Sequence, residues 1–146
     1  MKYYAVIDTN VVVSSMLSHN SIPGAIVDLV TSEVIVPLLN EDILNEYIEV
    51  LTRNKFGFSE LDVNDTINKF KEKAIFLERE QTLEDFIDES DIVFYEIVMS
   101  AKNSMDAYLV TGNIKHYPVK SYVVTPREML DIIKIQEIKD IPKRED

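Results

Sequence analysis

Four polar clusters interrupt apolar stretches of this chain, and each offers oxygen atoms suited to chemistry. Asp8-Thr9-Asn10 follows Tyr3-Tyr4-Ala5-Val6-Ile7, and Thr111-Gly112-Asn113 follows Tyr108-Leu109-Val110. Asp91 closes an acidic stretch that begins at Asp85, while Glu46 borders the apolar stripe of the segment after Asn40. Carboxylates and amides are hard donors. With no cysteine and only His19 and His116 available, they select Mg2+ or Mn2+ over Zn2+. If the three carboxylates meet, they repel: at an effective dielectric of about 20, two charges ~4 Å apart cost ~4 kcal/mol. A divalent cation among them makes such a cluster tolerable.

The surrounding elements must position these groups. Residues 3–7 are apolar without alternation, as in a strand covered on both faces. Val11-Val12-Val13 begins a helix or a bent continuation of that strand. Ser21-Ile22-Pro23 starts a helix to about Ser32, since proline is tolerated in a first turn. Val34-Ile35-Val36 reads as a second buried strand, closed by Pro37. Asn40 caps a helix extending to about Asn54, with Glu41 and Asp42 in its electropositive first turn. Phe56-Gly57-Phe58 breaks the pattern. It resumes over 62–78 as a charged helix, with Ile67, Phe70, Ala74 and Leu77 inward and Lys69, Lys71 and Lys73 as a solvated face. Ser90 caps a buried helix over 92–101. Residues 108–110 and 122–124 form further strands, and Thr125-Pro126 opens the last helix. Strands separated by helices, without hairpin signals, predict right-handed crossovers and a mostly parallel central sheet. The expected fold class is α/β, a three-layer α/β/α sandwich in one domain over 1–140, with 141–146 a frayed C-terminal tail.

In an open parallel sheet, ligands gather beyond the carboxyl ends of the strands. Asp8 and Asn113 lie at such ends, and Gly112 permits a sharp exit between them and the strand. Asp106 enters its strand from the opposite end and reads as a surface residue. Asp91 has two readings: it complements the macrodipole of a buried helix, or that helix presents it into the crevice. Glu46 either covers the apolar stripe with its methylenes and reaches water, or turns inward. Glu96 is enclosed by Phe94, Tyr95, Ile97 and Val98, so it needs a hydrogen-bond partner and is at most an outer support. Lys115 and His116 are either ordinary loop residues or phosphate contacts.

Composition narrows the function classes. Lys and Arg total 15 against 26 Asp and Glu, and the net charge of −11 excludes a protein that holds duplex DNA by bulk charge. Three glycines cannot build a P-loop or a dinucleotide fingerprint. Hydrophobic residues at 46% predict a real core instead of disorder. Met1-Lys2 leads into no signal-peptide core, and no run reaches bilayer length, so a soluble, cytoplasmic protein is expected.

Taken in order, the clusters resemble the motifs of PIN-domain nucleases. Asp8-Thr9-Asn10-Val11 is similar to their opening motif, and the helix carrying Asn45-Glu46-Tyr47 to the one with their second acid. Asp88-Glu89-Ser90-Asp91 resembles the segment of the third acid. Leu109-Val110-Thr111-Gly112-Asn113-Ile114-Lys115-His116-Tyr117-Pro118 is similar to the fourth motif of a subgroup described as toxins of toxin–antitoxin pairs. The resemblance spans about residues 3 to 135. It implies a PIN-like fold and a metal-dependent endoribonuclease that hydrolyses phosphodiester bonds of single-stranded RNA. The partners it implies are a cognate antitoxin protein and a second copy in a homodimer, with no membrane. Asp8 and Asp91 would be the primary Mg2+ or Mn2+ ligands, and Glu46 would bind through water or orient the nucleophile. Asn113 would be a neutral outer ligand, Thr111 would hydrogen-bond Asp8, and Asn10 would support the same loop.

Many PIN enzymes carry aspartate where this chain has Asn113. That departure favours the alternative of a catalytically weakened PIN-like module acting through protein partners. A phosphatase with Asp8 as nucleophile is a poorer match, because haloacid-dehalogenase-like sites place a second aspartate where Asn10 stands. The acidic surface also opposes long-range steering of RNA.

Overall fold

The computed structural model describes residues 1–141. Strand β1 (Tyr3–Ile7) is followed by helices α1 (Thr9–Leu17) and α2 (Ile22–Thr31), then β2 (Ile35–Leu39) and α3 (Glu41–Leu51). Next come α4 (Glu60–Lys73), β3 (Ile75–Phe76), α5 (Ile92–Lys102), β4 (Ala107–Val110), β5 (Val123–Val124) and α6 (Pro126–Lys139). All strands pair in parallel, in the order β3-β2-β1-β4-β5. The architecture is a PIN-like α/β sandwich. Of the tail expected at 141–146, only the exposed Ile141 falls within the described residues. Among those residues no helix is long and apolar enough to cross a membrane.

The strand order carries the main functional consequence. From β1 the chain builds β2 and β3 on one side, then crosses to place β4 and β5 on the other. The direction of progress therefore reverses between β1 and β4, and the crevice beyond their carboxyl ends is where such sheets bind ligands. Asp8 and Thr111 are the first residues past those two ends.

Local chemistry explains most element boundaries. Ser21, Asn40, Ser59 and Thr125 each accept a backbone N–H from the first turn of the following helix, and Thr125 with Glu128 completes a capping box. Val11 to Val13 form a helix and do not continue the strand. Pro37 does not close β2; it sits inside it, opposite Ala5. Leu39 turns its backbone toward β3, accepting the Leu77 N–H at 2.9 Å. Pro37, two residues earlier, turns its nitrogen to the same side before β3 has begun, so its missing N–H breaks no ladder bond.

Two expected boundaries need correction. The helix expected over 62–78 spans Glu60–Lys73 and gives way at Ala74, in extended backbone, to β3. Ser90 is not a cap. Asp88 accepts its N–H and starts a short turn over Glu89–Asp91 that leads into α5.

The core lies on both sides of the sheet. Ala5, Val6 and Ile7 of β1 are fully buried, as are Phe94, Tyr95, Ile97 and Val98 of α5, which packs on β1, β2 and β4. Each such side chain contributes roughly 1.5–3 kcal/mol by leaving water. Tyr47 of α3 packs edge-on against Phe70 at 5.5 Å and donates its hydroxyl to the Ile7 carbonyl. That bond pins α3, and Glu46 with it, beside the end of β1.

Candidate active site

Asp8 and Asp91 occupy the N-cap positions of α1 and α5, where aspartate commonly satisfies the orphan backbone N–H groups. Neither side chain makes that bond. Both carboxylates turn into the crevice instead, toward one hydroxyl. Tyr117 donates to Asp8 Oδ2 at 3.2 Å and lies 3.4 Å from Asp91 Oδ1. Of the two readings of Asp91, simple dipole complementarity cannot account for this orientation. The positive ends of two helices still face the pair and partly offset its charge.

The β4 end completes the arrangement. Thr111 is fully buried and donates to Asp8 Oδ2 at 2.7 Å, while its oxygen accepts the Asn113 N–H at 3.0 Å. Asp8 N–H reaches the Val110 carbonyl at 2.9 Å, holding the two strand ends together. Asn10 accepts the Gly112 N–H through Oδ1 at 3.2 Å. A Cβ on Gly112 would stand 3.4 Å from that same oxygen, an ordinary van der Waals contact, so the packing there does not itself demand glycine.

Other predicted residues lie farther out. Glu46 is half-buried on α3, with no hydrogen bond or ion pair to the two aspartates. Asn113 is exposed, and its side chain makes no hydrogen bond to the pair. Lys115 is exposed as well. His116 turns inward: Nδ1 stands 3.3 Å from Asp91 Oδ2. That is an ion-pair distance, yet no hydrogen bond of proper geometry satisfies the oxygen, which is buried. Among the described residues, no three His, Cys, Asp or Glu side chains are grouped tightly enough to hold a metal. Asp8 and Asp91 are joined through Tyr117, while Glu46 stands on α3 near enough for the Asp8 charge to act on it. Glu96 supports a different region, binding Arg79 and the Thr82 N–H.

Tyr117 is the site residue that local sequence reasoning does not single out. Its only local sign is an aromatic ring at the end of a polar loop after a strand. A cavity of about 420 Å³ lined by Ser15, His19, Asp28, Phe58 and Lys69 lies elsewhere and includes none of the strand-end acids.

The electrostatics set this pair apart. Burial raises the Asp8 carboxyl above its ordinary range, against the hydroxyls of Thr111 and Tyr117 that pull it down. Burial also raises Asp91, helped by the charges of Asp8 and Asp88 and opposed by His116. Glu46 is raised by burial, then by Glu49, with Asp8 and Asp88 adding to the shift. Burial and the two aspartates hold the Tyr117 phenol far above its usual value, so it remains a donor. Among the described residues no lysine or arginine forms an ion pair with Asp8 or Asp91. Perturbed acids in a strand-end crevice are the pattern of a functional site.

The donor set fits a hard divalent cation. It offers two carboxylates joined through one hydroxyl, an orphaned buried oxygen on Asp91, and a third carboxylate close enough for its charge to be felt. Comparison with known proteins identifies the family. No curated protein matches the chain, but a family model described as PIN domain matches residues 4–115. That span contains Asp8, Glu46, Asp91 and Asn113 and covers most of the sequence. The chain thus belongs to the PIN-domain family, whose members are generally metal-dependent nucleases.

Proposed function

We propose that this protein is an Mg2+- or Mn2+-dependent endoribonuclease that hydrolyses single-stranded RNA, acting as the toxin of a toxin–antitoxin pair. The observation that carries the reading is the Asp8–Asp91 pair at the switch point of the sheet, joined through the Tyr117 hydroxyl, with no lysine or arginine paired to it among the described residues and only His116 beside it. Asp8 and Asp91 hold the cation, Glu46 reaches it through water, and Asn113 is a neutral outer ligand. When bound, the cation lowers the pKa of an attacking water and neutralises charge growing on the phosphoryl oxygens. The protein's own groups orient and exclude. Thr111 and Tyr117 fix the Asp8 carboxylate, while Asn10 holds the Gly112 turn against α1. Glu46, its affinity for protons increased by burial, is suited to accept one from water.

The toxin role, an antitoxin that covers the acidic crevice and a homodimer follow from the motif resemblance. The purified chain is expected to cut single-stranded RNA with Mg2+ or Mn2+ and to stop with a chelator. Cleavage that persists unchanged in both Asp8→Asn and Asp91→Asn would refute the assignment.

A second reading is favoured by one observation: Asn113 and Glu46 both stand apart from the pair. In that reading the module has weakened catalysis and works through a protein partner. It predicts that Asp8→Asn leaves biological function intact while changes on the rim of the crevice abolish it.

A further inference from the structure

Two carboxylates present four oxygens, and this fold commits two of them to hydroxyl groups. Asp8 Oδ2 accepts from both Thr111 and Tyr117, and Asp91 Oδ1 faces the same Tyr117 hydroxyl. Asp91 Oδ2 is left buried without a hydrogen-bond partner, with His116 Nδ1 3.3 Å away at ion-pair distance. A phenol has one proton and donates to one carboxylate at a time, so the hydroxyl sits between them as a shared pivot. The ring has little freedom to leave. It is buried, lies edge-on to Phe86 at 6.1 Å, and follows directly on the short turn over Ile114–His116.

We propose that Tyr117 is a positioning residue for the cation: its hydroxyl, shared between Asp8 Oδ2 and Asp91 Oδ1, orients the two carboxylates and leaves Asp91 Oδ2 to the ion. The inference rests on the reading of Asp8 and Asp91 as cation ligands. Groups that orient metal ligands in this way change cation affinity about 10–100-fold when removed. A hydroxyl that merely filled the ion's place would do the reverse, because deleting it would free two carboxylate oxygens.

Mn2+ binding to the full chain, followed by the resonance signal of the free ion, separates these cases. Wild type is expected to bind, Asp8→Asn to lose binding, and Tyr117→Phe to bind about 10–100-fold more weakly while its cation-free melting temperature stays within a few degrees. Affinity in Tyr117→Phe equal to or above wild type overturns this inference and leaves the cation site standing. Failure of wild type to bind Mn2+ overturns both. A second measurement needs no substitution and so does not depend on a variant folding. With Cζ-labelled tyrosine, titration with Mg2+ should move one tyrosine resonance in step with saturation while its hydroxyl proton stays in slow exchange. A hydroxyl released to solvent at saturation, or no responding tyrosine, overturns the inference.

Discussion

Glu96 is 5% exposed and Asp8 6%, yet the fold surrounds them in opposite ways. Glu96 receives the Arg79 guanidinium, with Nε at 3.0 Å, and the Thr82 N–H at 3.0 Å. Arg79 continues to Asp42 at 3.2 Å, so one cation ties the segment after β3 to α3 and α5. Asp8 accepts only from hydroxyls and backbone; His116 acts on it at a distance, and Asp91 shares its Tyr117 hydroxyl. A buried carboxylate requires a counter-charge, because desolvation of the ion is otherwise severe. The structural acid carries its own. The crevice acids have no lysine or arginine of their own, and on the proposed reading a bound cation would supply that charge.

The largest effect should come from removing an acid in the crevice. Asp8→Asn or Asp91→Asn is expected to reduce RNA cleavage about a thousandfold, since cation stabilisation of the transition state amounts to several kcal/mol. Glu46→Gln should lose about tenfold, which steady-state kinetics on one RNA would resolve. On the clamp side, Arg79→Met leaves Glu96 buried without its counter-charge, held only by the Thr82 N–H. It should cost about 3 kcal/mol in urea unfolding, a drop of roughly 10 °C in melting temperature.

Supplying the missing counter-charge should act next. Divalent cation at about a hundred times its Kd stabilises wild type by ~2.7 kcal/mol and leaves the melting of Asp8→Asn unchanged. Equal stabilisation of both proteins would dissolve the contrast between the two regions.

The smallest effect is a dependence on pH. Asp8 and Asp91 are raised in the folded state by burial, so folding favours their protonated forms. Their contribution to stability is full below the ordinary carboxylate range and is lost as pH rises through their raised pKa values. Cation-free protein should therefore lose a few degrees over that interval, and Asp8→Asn should flatten the loss in a melting series. A wild-type curve that rises across the same interval would contradict this.

How much of this is legible in the sequence follows the range of each interaction. β1, β4 and α5 show as short apolar runs, and Asp8 and Thr111 are marked because polar residues end the two strands abruptly. β3 is hidden: Ala74 and Leu77 continue the helical spacing of α4, so periodicity passes over the two strand residues between them. Pro37 misleads because its meaning depends on where a neighbouring strand begins. The pairing of Arg79 with Glu96 and the approach of Tyr117 to Asp8 are distant events with no local period to betray them. The identity of the acids is thus readable, whereas what holds each of them is not.

The bond between Thr111 and Asp8 joins residues 103 positions apart, and Tyr117 reaches back 109. Contacts of that span close late and slowly, because the intervening loop must be ordered first. A ribosome that has delivered both aspartates but not yet β4 holds a chain without a crevice.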